Sequence, residues 1–195
     1  DPIGGPKYSR ATSIISSAYK RHGQILGRAL LERLKDCAHF TTWTEDAFKL
    51  SPQSAIELKR KLPPEALLTK HLPYGDQEQS IPIDVLVFDA QRKTLRSYNV
   101  KRGNGAYDAG KRRLIFDELQ RTQMQLKGYA ESVGCSAELC EAKIVFYYGL
   151  RSIPEPYSLV SDDLDCHFNF PVRDALELVN DTFRSKLYEV IESAV

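Results

Sequence analysis

The feature that most limits what this chain can become is the run Ile81-Pro82-Ile83-Asp84-Val85-Leu86-Val87-Phe88 and its echo, Leu95-Arg96-Ser97-Tyr98-Asn99-Val100-Lys101. Both are rich in β-branched and aromatic residues, and the polar stretch Asp89 to Thr94 between them supplies turn chemistry, so they read as an antiparallel hairpin. A polar, turn-rich segment from Pro73 to Ser80 precedes the pair and marks its start.

Helical periodicity surrounds the hairpin. From Ser13 to about Lys35, Ile14, Ile15, Ala18, Ile25, Leu26, Ala29, Leu30 and Leu34 recur at spacings of three and four, the pattern of a long amphipathic helix. Gly23 and Gly27 each weaken it by about 1 kcal/mol relative to Ala, which predicts a bend or break near His22-Gly23. A short helix is expected after Ser51-Pro52, with Ser51 as N-cap, Ile56 and Leu58 inward, and Pro63-Pro64 as its stop. After the loop Gly103-Asn104-Gly105, a helix is predicted over Ala109 to Ser132, with Leu114, Ile115, Leu119, Leu126 and Tyr129 as its apolar face and Gly134 ending it. Ala142 to Tyr148 reads as a buried strand. A last helix opens at Asn169-Phe170-Pro171 and runs through Leu176, Val179, Phe183, Leu187 and Ile191. The order helix, hairpin, helix, strand, helix predicts an α/β fold with mixed layers around one central sheet. The expected organisation is one domain over 1–195, with a core at about 13–150 and the C-terminal helix, about 169–193, packing on it or forming a homodimer interface.

The 195 residues, 42% of them hydrophobic, suffice for one sizeable core. The chain opens on Asp1-Pro2 rather than Met, which predicts that it starts inside a longer protein or after a removed leader. No stretch approaches the roughly 20 apolar residues of a membrane span. The expectation is a soluble, cytoplasmic protein without a membrane partner. Cys37, Cys135, Cys140 and Cys166 show no Cys-x-x-Cys spacing and are expected to be reduced thiols; Cys166-His167 is assigned no role. Net charge is only +1, yet Lys7 to Lys70 carries 12 Lys and Arg against 6 Asp and Glu, and Glu155 to the end carries 3 against 9. The two ends can therefore face different neighbours.

Chemistry concentrates on the hairpin. Strand alternation puts Asn99 and Lys101 on one face and Tyr98 and Val100 on the other. A turn centred between Arg92 and Lys93 would set Asp84 opposite Lys101 and Leu86 opposite Asn99, gathering a carboxylate, an amide and an ammonium on one face. A simpler reading of the same pair is a cross-strand salt bridge.

The hairpin resembles the core of the PD-(D/E)XK, restriction-endonuclease-like nucleases, in which an Asp preceded by Pro sits on one strand and an acidic-x-Lys triplet on the next. Pro82-Ile83-Asp84 and Asn99-Val100-Lys101 occupy those places here, with one residue between Pro and Asp. Gln125-Leu126-Lys127-Gly128-Tyr129 is similar to the Gln-x-x-x-Tyr motif of RecB-type members, and Glu32 to the Glu many members carry on the first helix. His22 is a looser match to a His of RecB-type enzymes.

The resemblance implies a restriction-endonuclease-like core with the active site on the hairpin, acting on DNA with Mg²⁺ or Mn²⁺, as a restriction-type endonuclease or a RecB-like exonuclease. Asp84, Asn99, the Val100 carbonyl and Glu32 would hold the metal. Lys101 would orient and help deprotonate the attacking water, leaving a 5′-phosphate and a 3′-hydroxyl. Arg102, Lys111, Arg112, Arg113, Gln125 and Tyr129 would contact nucleic acid. Asn99 departs from the family's acid and removes a negative charge from a hard-cation site. The alternative is therefore a weakened or inactive member that binds DNA or acts as a scaffold. The expected geometry is Asp84, Asn99 and Lys101 in one cluster, reached by Glu32; a sheet placing Asp84 and Lys101 on opposite faces would contradict the nuclease reading.

Overall fold

The hairpin forms, and a strand that the sequence pattern conceals joins it. In a computed structural model that describes residues 4–60, 62–103 and 105–194, with backbone alone for Pro64 and Ala194, the fold is α/β, a five-stranded mixed sheet flanked by helices. Asn104 of the predicted loop and the opening Asp1-Pro2 lie outside the described residues. The elements run α1 (Gly5–Leu34), β1 (Phe40–Leu50), α2 (Pro52–Lys59), α3 (Pro64–Leu68), β2 (Gln79–Asp89), β3 (Thr94–Lys101), α4 (Ala109–Ser132), β4 (Leu139–Phe146), β5 (Ser158–Val160), α5 (Leu164–Phe168) and α6 (Arg173–Ala194). The sheet order is β1-β2-β3-β4-β5. The first three strands pair antiparallel, and β4 and β5 add parallel to β3.

Two cores follow from this layering. Leu26, Leu30 and Leu34 of α1 pack on Val85, Val87, Tyr98 and Val100, with Leu176 of α6 in the same cluster. On the other face Leu119, Leu126 and Tyr129 of α4 pack on Ile81, Ile83, Leu86, Leu95 and Ile144. Helix α1 continues through His22-Gly23 without the expected break. Its glycines serve close approach instead: a Cβ on Gly27 would lie 3.4 Å from the Asp84 Cβ, and one on Gly23 would lie 3.8 Å from the Val100 carbonyl oxygen. Among the described residues no helix is long and apolar enough to cross a membrane.

Several inward assignments change. Ser51 does cap α2, accepting from the Ser54 N–H, but Ile56 is exposed, and Ser54 and Glu57 are the buried positions. The reason is polar packing: Arg121 of α4 donates to the Ser54 hydroxyl (2.8 Å), and Lys70 and Arg60 pair with Glu57. Leu114 is likewise exposed, whereas the middle of α4, Leu119 to Leu126, is buried all round, its amides bonded to neighbouring backbone. The hairpin turn is centred one residue earlier than predicted: Val85 pairs with Tyr98 and Leu86 with Ser97. The Asp89 carboxylate accepts from the Gln91 and Arg92 N–H groups (3.0 and 3.1 Å), and Lys93 takes a left-handed conformation (φ 48°), which fixes a loop from Ala90 to Lys93.

His167 has a structural place after all. Its Nε2 is hydrogen-bonded to the buried Tyr98 hydroxyl (2.7 Å), and burial, helped by the charges of Arg96 and Lys143, pushes its pKa down to about 4. The folded imidazole thus stays neutral where the unfolded one gains a proton. Stability present above about pH 6.5 is therefore lost as the pH falls toward about 4. Equilibrium urea unfolding should show this loss in the wild type, on the order of 1–3 kcal/mol, and a flatter profile for His167→Gln across the same window.

Candidate active-site cleft

The site depends on a fault in strand pairing. Between Trp43↔Leu86 and Glu45↔Ile83, β2 has one residue more than β1, a bulge at Asp84-Val85. Ile83 and Leu86 consequently share the α4-side core, while Val85 faces α1. Asp84, which simple alternation would put on the Leu86 face, lies against Gly27 of α1. Ladder pairing between β2 and β3 ends at Val85↔Tyr98. Beyond it side chains bridge the strands: the Asp84 N–H donates to Asn99 Oδ1 (3.2 Å), and the Val100 N–H donates to Asp84 Oδ2 (2.8 Å). Pro82, without an N–H, cannot donate across the gap.

This corrects the expected one-face cluster. Asp84 is not directly opposite Lys101, because the turn shifts the register by two residues and the bulge rotates Asp84 toward α1. Asn99 lines a cleft of about 220 Å³ on the α4 side, and Asp84 a cleft of about 490 Å³ on the α1 side. Lys101, the last residue of β3, lines both. Because Lys101 lines both clefts, the opposite-face placement that would contradict the nuclease reading is met by Asn99 and not by Lys101. No ion pair within 4.0 Å links Asp84 and Lys101, which disposes of the simple salt bridge.

The larger cleft is cationic. Lys20, Lys101, Arg102 and Lys111 line it against the single carboxylate of Asp84, an excess of three positive charges. Arg102 is held by the Tyr19 ring, 4.0 Å from its centroid, and its Nε is buried with no partner among the described residues. Lys111 lies over Tyr107 at 4.5 Å, near the start of α4, where Asp108 caps the Lys111 N–H. Such a cleft suits a polyanion. Tyr19, Lys20 and Gln24 are lining residues that the sequence reading missed; the signal was their position one turn before Gly23 and Gly27, the small residues that let α1 approach β2 and β3.

Other predicted residues are elsewhere. Glu32 does not reach the cleft: it is on the outer side of α1, bonded to Arg28 (2.7 Å) and Lys35 (2.9 Å), because Leu26, Leu30 and Leu34 claim the sheet-facing side. Gln125 is fully buried and accepts from the Ser51 N–H (2.9 Å). Tyr129 is buried too, accepting from Trp43 Nε1 (2.9 Å) and donating to Glu45 (3.0 Å); burial pushes its pKa up to about 12. Neither offers a polar group to the cleft, so their placement on a nucleic-acid surface is corrected to structural anchoring between α4 and β1. Arg112 is exposed outside both clefts, and Arg113 pairs loosely with Asp117 (3.9 Å) on the α2 side of α4. His22 of α1 is buried against α6, its Nε2 bonded to Asn180 Oδ1 (3.1 Å), and burial followed by the Arg102 charge lowers its pKa.

The donors test the implied metal. Among the described residues no three His, Cys, Asp or Glu side chains cluster to hold an ion. One carboxylate oxygen of Asp84 has no hydrogen-bond partner among the described residues. The Val100 carbonyl opens the same way as its N–H, toward the gap. One carboxylate and a carbonyl fit Mg²⁺, which retains waters and takes its remaining ligands from substrate phosphates. Any such ion would still need a phosphodiester to complete its ligands. No family model matches the chain, and neither a curated protein nor a solved structure matches it.

The bridged gap has a measurable cost of disruption. Asp84→Ala removes the acceptor of the Val100 N–H and should lower stability by about 1 kcal/mol, whereas Asp84→Asn keeps an acceptor oxygen and should lose less. Urea unfolding of the three proteins reads the order; equal losses would show that the bond holds nothing.

Proposed function

We propose that this chain is a metal-dependent nuclease of the PD-(D/E)XK, restriction-endonuclease-like type that hydrolyses phosphodiester bonds in DNA. The observation that carries the reading is the opened end of the β2–β3 pair, where Asp84, the Val100 carbonyl and Lys101, unpaired among the described residues, meet in one cleft of cationic walls. The family resemblance and the order of helix, hairpin, helix and strand support it.

Asp84 and the Val100 carbonyl would hold Mg²⁺ or Mn²⁺, which when bound polarises the phosphate and acidifies a water. Lys20, Arg102 and Lys111 bind the flanking phosphates. Lys101, with no carboxylate partner among the described residues, donates to the non-bridging oxygens as charge grows on them and orients the attacking water. Asn99 braces Asp84 through its backbone.

One observation favours a second reading. Asn99 spends its amide oxygen on the Asp84 N–H, leaving a single carboxylate in the cleft, which suits a member of the superfamily that binds DNA without cutting it. Incubation with plasmid and linear DNA in Mg²⁺ or Mn²⁺ separates the two and tells endonuclease from exonuclease. Cleavage is expected to leave 5′-phosphates, and Lys101→Ala should slow it by roughly 10²–10³-fold while changing DNA affinity only a few-fold. Tight binding with no cleavage in either metal would establish the binding protein.

A further inference from the structure

The smaller cleft has no task in the mechanism above. It opens between β3 and α4, and Lys101, Tyr107 and Lys111 line it together with the phosphate cleft, so the two share a rim. Ile81, Ile83, Ile115, Leu119 and Ile144 supply its apolar lining, and the Lys143 side chain, which donates to the Pro156 carbonyl (2.8 Å), lines it as well. Polar groups are set among them. The Ser97 hydroxyl has no partner among the described residues, and the Asn99 NH₂ is unpaired once its oxygen is taken by the Asp84 N–H. Thr122 donates to the Glu118 carbonyl (2.9 Å) and keeps acceptor capacity. Glu118, the only acid lining the cleft among the described residues, accepts from Gln79 (2.9 Å).

At about 220 Å³ the cleft is smaller than the roughly 300–1,000 Å³ of pockets that take drug-sized ligands, a size for one ring system. Apolar walls with a few donors and acceptors, beside a cationic phosphate cleft, match a flat heterocycle attached to a phosphodiester. We propose that this cleft receives the base of an unstacked nucleotide, making the substrate single-stranded or locally unpaired DNA. The proposal rests on the nuclease reading for the identity of the polyanion, and it assigns Asn99 a second contact: its amide NH₂ faces the base while its oxygen braces Asp84. A stacked, paired base has its edge engaged and cannot enter without the cost of being extruded.

Fluorescence anisotropy without divalent metal tests it, using an oligothymidylate, an abasic strand of the same length and a duplex. The oligothymidylate should bind roughly tenfold more tightly than the abasic strand. Ile115→Trp, which fills the cleft from a half-buried wall, should abolish the difference, and Thr122→Val, which keeps the volume and removes a polar group, should reduce it. Urea unfolding confirms that both variants are folded. Equal affinity for the oligothymidylate and the abasic strand would overturn the base pocket and leave the nuclease reading intact. A base-dependent preference without hydrolysis in Mg²⁺ would uphold the pocket and remove the nuclease.

Discussion

Everything proposed for this chain depends on one extra residue in β2. The bulge at Asp84-Val85 breaks the two-residue alternation, so Ile83 and Leu86 face the same core and Asp84 is turned toward α1. A carboxylate among Ile83, Val85 and Val100 would be costly to bury without partners. Here it finds one in the Val100 N–H, freed because the β2–β3 ladder pairing stops at Tyr98. The bulge therefore does two things together: it ends the ladder and it supplies the group that satisfies the freed donor.

The packing of α1 follows from that arrangement. Gly23 and Gly27 bring the helix backbone close to Val100 and Asp84, and the preceding turn then delivers Tyr19, Lys20 and Gln24 to the cleft. Tyr19 in turn holds Arg102. On the opposite face the buried polar middle of α4 fixes its position by bonds to backbone: Gln123 to Cys140 and Ala142, Gln125 to Ser51. These contacts hold the start of α4, with Lys111, at the mouth of both clefts.

Much of this was legible in the sequence and some was not. The hairpin and α4 carry unambiguous periodicity, and α4 begins and ends where that pattern says. Strand β1 was not legible, because Phe40 to Leu50 mixes threonines, acids and a lysine with its apolar residues and is itself bulged. Without β1 the bulge in β2 could not be seen, since a bulge is a mismatch between partners. The turn slipped because the Asp89 side chain, capping two amides, overrides the symmetric placement. Glu32 could have been excluded from sequence alone: Leu26, Leu30 and Leu34 define the sheet-facing side of α1, and Glu32 falls off it. Gln125 and Tyr129 do share a helix side as their spacing requires, but the side is an inner one.

On the proposed reading, Asp84, turned inward by the bulge, is the carboxylate of a divalent-cation half-site. The most direct measurement is a calorimetric titration of the wild-type protein and the folded Asp84→Asn variant with Mn²⁺, in the presence of an uncleavable phosphorothioate DNA strand. One Mn²⁺ should bind per wild-type chain, and the substitution should weaken it at least roughly tenfold, since a hard cation loses its only charged protein ligand. Equal Mn²⁺ binding by both proteins, or none by either, would contradict that reading.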